Sequence, residues 1–247
     1  MRIRVLRMDS WKGLGYLLGM RNCHEYLTFK KQFNQQEFTP RKNCSICGFA
    51  KRTCYCHMLK PFDSKIIFVI LIHKLEIDRK IATGRMSHLI LKNSYLLPGH
   101  DYTNNETLNS LIIDPTNHCM VLYPGENSAN LSIFTDEEIK AIVPKGKRLV
   151  VIVIDGTWAT SRQTMRMSHN LEILPRISFT VNSPSNFRIR KQPNYECCST
   201  VEAIHKTIEL LKDSQGFNVE SRAHDNLLNV FDFMVSNQIS IMEQSQM

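Results

Sequence analysis

The chain is 247 residues long, with 43% apolar residues and a formal net charge of +8. That length and apolar content support one domain with a substantial core and a small appendage, and no run of about eighteen apolar residues exists to span a membrane. Residues 1–20 are basic but broken by Gly13, Gly15 and Gly19, without a signal-peptide pattern, so a soluble cytoplasmic protein is expected, and nothing implies an obligate protein partner.

The positive charge sits at the front. Residues 1–60 hold twelve Lys or Arg against three Asp or Glu, whereas residues 61–247 hold nineteen against twenty. A basic segment on a near-neutral body is the footprint of phosphate-backbone binding. Residues 1–40 form an unassigned extension. Cys44, Cys47, Cys54 and Cys56 then fall within thirteen positions, and thiolates at Cys-x-x-Cys and Cys-x-Cys spacing converge on one tetrahedral zinc. A zinc knuckle over 41–60 is expected, with Gly48 permitting the turn beneath the metal. His57 is an alternative to Cys56 as fourth ligand. Disulfides are disfavoured, because Cys23, Cys119, Cys197 and Cys198 show no framework. Four filled positions make the metal structural. Arg41, Lys42, Lys51 and Arg52 would project from this knob toward RNA phosphates.

Residues 65–72 read as a buried strand, and residues 78–92 as a helix with Ile81, Met86, Leu89 and Ile90 inward. A second strand over 119–123 stops at Pro124-Gly125, and Thr135-Asp-Glu-Glu starts a helix with acids at its positive dipole end. The β-branched run 149–154 is a buried parallel strand that delivers Asp155-Gly156-Thr157-Trp158 to its carboxyl end, where ligands of open α/β sheets collect. The plainer reading of these residues is a strand-to-helix turn, with Asp155 or Thr157 capping the next helix. Arg162, Arg166, Arg176, Arg188, Arg190 and Lys191 flank this junction. A strand at 177–181 follows. Ser199-Thr-Val-Glu202 is a capping box opening a helix to 211. A last amphipathic helix spans 219–236, with Leu227, Leu228, Phe231, Met234 and Val235 on one face and Asp232 on the other. Strand and helix alternate, which predicts an α/β fold: a mostly parallel sheet with helices on both faces. Tyr123-Pro124-Gly125, Asp155 to Trp158 and the loop ending at Ser199-Thr200 then fall at one edge.

Taken in chain order, Cys44, Cys47, Cys54 and Cys56, His73 and Glu76 with Thr83-Gly84-Arg85, Tyr123-Pro124-Gly125, Asp155-x-Thr157-Trp158, Arg190, and Ser199-Thr200 with Glu202-Ala203 resemble the DTW-domain family of tRNA-uridine aminocarboxypropyltransferases. The resemblance runs over about residues 40–212, with Lys74 where the family often has Pro and Ala82 where it has Asn before Thr-Gly. It implies a catalytic domain over 61–212, a C-terminal helix and tail over 213–247, and a SPOUT-like fold with a C-terminal trefoil knot. It also implies transfer of the 3-amino-3-carboxypropyl group of S-adenosylmethionine to N3 of a tRNA uridine, releasing 5′-methylthioadenosine.

In that scheme Asp155 is the base or the positioning group, Thr157 orients it, and Trp158 walls the pocket or stacks on a base. Leu122, Tyr123, Pro124, Gly125, Ser199, Thr200 and Glu202 bind the cofactor, the helix start at Ser199-Thr200 offering N–H groups to the methionyl carboxylate. Arg85, Arg188, Arg190 and Lys191 hold RNA, and His73 is a structural histidine or an RNA contact. Two other readings remain open: a SPOUT-like tRNA methyltransferase using the same cofactor, and a zinc-knuckle RNA-binding protein without enzymatic activity.

Overall fold

The computed structural model describes residues 43–77, 79, 81–190 and 197–244. The extension 1–40 and the predicted RNA contacts Arg41, Lys42 and Lys191 lie outside the described residues. Six strands are present: β1 (Ile67–His73), β2 (Ser94–Gly99), β3 (Asn117–Leu122), β4 (Ser128–Asn130), β5 (Arg148–Asp155) and β6 (Arg176–Ser178). They form one sheet in the order β2-β1-β5-β3-β6-β4, and every pairing is parallel.

The central strands β1 and β5 are apolar almost throughout because both sheet faces are covered. Phe68, Ile70, Val151 and Val153 pack on α1 (Thr83–Ile90), α6 (Thr200–Leu211) and α7 (Asn226–Gln244). Val69, Leu71, Val150 and Ile152 face the opposite layer, α2 (Glu106–Ile113), α4 (Trp158–Met167) and the short α5 (His169–Glu172). The remaining short helix, α3 (Asp136–Ala141), opens on the capping box of Thr135 and Glu138. No helix among the described residues is long and apolar enough to cross a membrane.

This layering fixes where a ligand can sit. The helix after β1 packs on one face and the helix after β5 on the other, so the carboxyl ends of these adjacent strands splay their connections apart. Such a topological switch point is where open α/β sheets keep their binding crevice.

Several boundaries differ from the sequence expectation. The helix expected over 78–92 begins only at Thr83, because His73, Glu76 and Arg79 accept successive turn bonds from Glu76, Arg79 and Ala82; Ile81 and Leu89 are half-buried, while Met86 and Ile90 are core. The strand expected to reach 181 ends at Ser178. The last helix starts at Asn226 and not at 219, since two single 3₁₀ turns precede it, separated by Arg222 at φ 53°. β2, β4 and α2 lie outside the sequence expectation. β2 is an edge strand containing Pro98, without alternation, and α2 is announced only by its Asn105 cap.

The knuckle shares the main core. Cys47, Phe49 and Tyr55 pack in the same cluster as Phe231 of α7, and Phe49 meets Tyr55 edge to face at 5.5 Å. Asn226, at the start of α7, accepts from the Lys60 N–H at 2.8 Å and donates to the Met58 carbonyl at 2.9 Å.

Candidate functional site

β5 ends on Asp155, in register with Ile72 of β1. Its carboxylate is 5% exposed. Thr200, the first residue of α6, donates from Oγ1 to Asp155 Oδ1 at 2.5 Å, so a helix arriving after β6 is bonded to the end of β5. Oδ2 is buried and makes no hydrogen bond of normal geometry among the described residues, although the Gly84 backbone lies close enough to favour the charged form. A buried orphan oxygen is costly, and it marks a place where another group completes the shell. Burial pushes the Asp155 pKa up and nearby Glu76 adds to this, against the opposing Thr200 bond, the Gly84 backbone and Arg190; the net direction is upward.

Gly84, in the first turn of α1, lies against this carboxylate. A Cβ there would stand 2.6 Å from Oδ2, which no side chain tolerates, so the Thr-Gly-Arg triplet and the Asp-x-Thr-Trp signature are two halves of one contact. Glu76 is buried nearby and holds Arg79 at 2.9 Å and Arg190 at 3.7 Å. Arg190 thereby sits beside the acidic pair, over the Phe187 ring.

Other predicted residues take different work. Thr157 does not orient Asp155: its hydroxyl caps α4, accepting from the Thr160 N–H at 3.2 Å, and Thr200 is the residue that bonds the carboxylate. Glu202 accepts from Ser199 N–H and Oγ, Ser185 Oγ and the Asn186 N–H, completing a capping box with Ser199. Arg85 donates to the Ile77 carbonyl and lies near Gly48, tying the turn after β1 to the knuckle. His73 is buried and accepts from the Leu75 N–H at 3.3 Å, with a pKa lowered by burial, as a structural histidine behaves. Arg188, Lys51 and Arg52 are exposed.

Leu122 is the last residue of β3, adjoining β5, so Tyr123, Pro124 and Gly125 emerge at the same edge as Asp155. Among the described residues a Cβ at Gly125 would meet Arg176 Nη1 alone, at 3.9 Å, so none of them demands glycine there. A cavity of about 250 Å³ lies between residues 179–186, α6 and α7, with Cys198, Glu202 and His205 in its wall. Neither Asp155 nor Leu122 to Gly125 lines it.

Trp158 opens α4 and is 38% exposed. Arg162 and Arg166 follow at four-residue steps on the same helix face, both exposed and in no ion pair among the described residues. Arg176 lies over the Tyr123 ring at 5.9 Å, and both arginines 162 and 176 bias the Tyr123 hydroxyl toward ionisation against the stronger effect of burial. The sequence marks these arginines as a cluster, but only the helix face shows that they continue from Trp158.

The four knuckle sulfurs converge within 4.8 Å of one another. Cys44 to Cys56 is 3.7 Å and Cys47 to Cys54 is 3.6 Å. A tetrahedron with metal–sulfur bonds of about 2.3 Å has edges of ~3.8 Å, so these thiols are spaced to hold one metal ion. His57 is turned away, edge to face with Phe233 at 5.4 Å, which leaves Cys56 as the fourth donor.

Curated relatives named tRNA-uridine aminocarboxypropyltransferase 2 from Mus musculus and Macaca fascicularis are each 22% identical over 176 residues, covering 70% of this chain and 57% of theirs. The protein of that name from Drosophila melanogaster is 26% identical over 183 residues, covering 70% of this chain and 67% of its own. The chain thus spans a little over half the length of the mammalian relatives. No solved structure matches it. The DTW domain matches residues 41–239, a span that includes the cysteine knuckle, Gly84, Asp155 to Trp158 and Thr200, and the chain belongs to the DTW domain family.

Proposed function

We propose that this chain transfers the 3-amino-3-carboxypropyl group of S-adenosylmethionine to N3 of a uridine in tRNA. The imide N3 is a poor nucleophile until it loses its proton. In the proposed step a base takes that proton, N3 bonds the γ-carbon of the methionyl chain, and the carbon–sulfur bond breaks with its electron pair going to sulfur. 5′-Methylthioadenosine leaves.

The observation that carries this reading is the unpartnered Oδ2 of Asp155, a buried carboxylate with a raised pKa at the switch point of the sheet. Thr200 fixes Oδ1, so Oδ2 is the atom available to accept the imide proton. Trp158 offers its exposed indole to the base, and Arg162, Arg166 and Arg176 face the phosphates. The first turn of α6, with its N–H groups, is the counterpart for the methionyl carboxylate; Leu122 to Gly125 form the opposite wall. Glu202 contributes through its cap, which holds the start of α6 in place. The knotted, SPOUT-like threading belongs to the same reading, supported by the bond from α6 back to the end of β5. So does a cytoplasmic setting, and so does zinc in the four-cysteine site, where it would hold the knuckle closed and take no part in the reaction.

The test is incubation of the protein with tRNA and S-adenosylmethionine labelled either in the methyl or in the carboxypropyl carbons, followed by nucleoside mass spectrometry. Label should enter uridine from the carboxypropyl part only, and Asp155→Asn should lose at least about a hundredfold in rate with tRNA affinity kept. Methyl label in tRNA would make the chain a methyltransferase. Undiminished product from Asp155→Asn would remove Asp155 from the chemistry.

A further inference from the structure

A second cluster of metal-binding side chains lies away from both the Asp155 crevice and the cysteine knuckle. His205 and Glu209 stand one turn apart on α6, and His224 and Asp225 are consecutive on the 3₁₀ turn that leads into α7. The four donor atoms lie within 4.8 Å of one another. They alternate nitrogen and oxygen around a ring: His205 Nε2 to Asp225 Oδ1 is 2.9 Å, Asp225 Oδ1 to His224 Nε2 3.8 Å, His224 Nε2 to Glu209 Oε1 2.7 Å, and Glu209 Oε1 back to His205 Nε2 3.9 Å.

Imidazole and carboxylate bind a first-row divalent ion at about 2.0–2.2 Å, which sets tetrahedral donors ~3.4 Å apart, midway between the short and long edges of this ring. We propose that His205, Glu209, His224 and Asp225 form a second metal site, taking one divalent transition ion of the zinc type and clamping the lead-in of α7 onto α6.

Two further observations point the same way. His224 is fully buried and stacks on the His205 ring with centroids 4.8 Å apart, so the two imidazoles are held side by side with both Nε2 atoms on the carboxylates. The charge is also unbalanced. Glu209 and Asp225 bring two negative charges, and Arg222 answers with one, bonding Glu209 at 2.6 Å and Asp225 at 2.7 Å. Arg222 is half-exposed and bonds the same two oxygens, Glu209 Oε1 and Asp225 Oδ1, so it competes with a cation for them. Nitrogen and oxygen donors distinguish this site from the all-sulfur knuckle.

Arg222 also provides the decisive variant. The test measures metal content and cobalt binding on the full-length protein. Wild type should carry two ions per chain. Cobalt at this site should give weak visible absorption without the near-ultraviolet sulfur-to-cobalt band of the knuckle. His205→Gln and Glu209→Gln should each lose the second ion and keep the first. Arg222→Ala, by removing the competing charge, should bind the second cobalt about tenfold tighter, and metal should raise its thermal midpoint. One ion per chain in wild type and in Arg222→Ala, with the latter destabilised alike with and without metal, would show a closed network of ion pairs and overturn the proposal, as would a second ion retained in both Gln variants.

Discussion

At the residue scale the site turns on how tightly Asp155 is held. Thr200 gives its only side-chain hydrogen bond among the described residues, and that bond stabilises the charged form against burial. Thr200→Val keeps the shape and deletes the hydroxyl. A hydrogen bond to a charged group is worth about 1.5–3 kcal/mol, so the Asp155 pKa, already raised, should climb further. The sign follows directly: a base must be deprotonated, so the acid limb of the rate profile rises through the Asp155 pKa and should move to higher pH in the variant. A limb that stays in place would mean that Asp155 positions the substrate without taking its proton. Gly84→Ala tests the neighbouring contact. The added Cβ would lie 2.6 Å from Oδ2 between buried groups, so the carboxylate or the start of α1 must shift, and turnover should fall about a hundredfold with the circular-dichroism spectrum unchanged.

At the element scale α4 is the proposed RNA face, because its four-residue period puts Trp158, Arg162 and Arg166 in one row beginning beside Asp155. Arginine-to-alanine changes at 162 and 166 should weaken tRNA binding and lower the slope of log Kd against log salt by about one per residue removed. Trp158→Ala should weaken binding by about 1–3 kcal/mol with little change of slope, since stacking releases no counterions. Equal slopes for all three variants would place the RNA elsewhere. The strands β1, β3 and β5 and the capped helix α6 are legible in the sequence, because a strand buried on both faces is a run of Val and Ile, and a capping box is local chemistry. The Cys44 to Cys56 set and Asp155 to Trp158 are legible for the same reason, being close together in the chain. What one strand cannot reveal is a partner 45 positions away: Thr200 looks like a cap, and only the packed structure aims its hydroxyl at Asp155. Thr157 and Glu202 take the capping roles that their local sequence announces, while the roles that the resemblance adds to them depend on contacts no single segment displays.

At the scale of the whole molecule, the knuckle and α7 are one support. Cys47, Phe49 and Tyr55 lie in the main core, and Asn226 bonds the backbone on both sides of Leu59. Opening the knuckle should therefore be felt beyond residues 43–60. Cys54→Ser removes one donor from the metal site. For an ion present at about a thousand times its dissociation constant, the binding lost amounts to about 4 kcal/mol, and for a domain of this size that lowers Tm by about 8–16 °C. Hydrogen exchange locates the damage. Protection should fall in residues 43–60 and in the first turns of α7, while β1 and β5, whose pairing does not involve the knuckle, keep theirs until global unfolding. tRNA binding should weaken before S-adenosylmethionine binding, because the knuckle carries the exposed Lys51 and Arg52 and none of the residues proposed to hold the cofactor. Loss of cofactor binding first would mean that α7, through the core it shares with α6, holds the Thr200 end of the crevice in place, and the knuckle would then be a clamp on the active site.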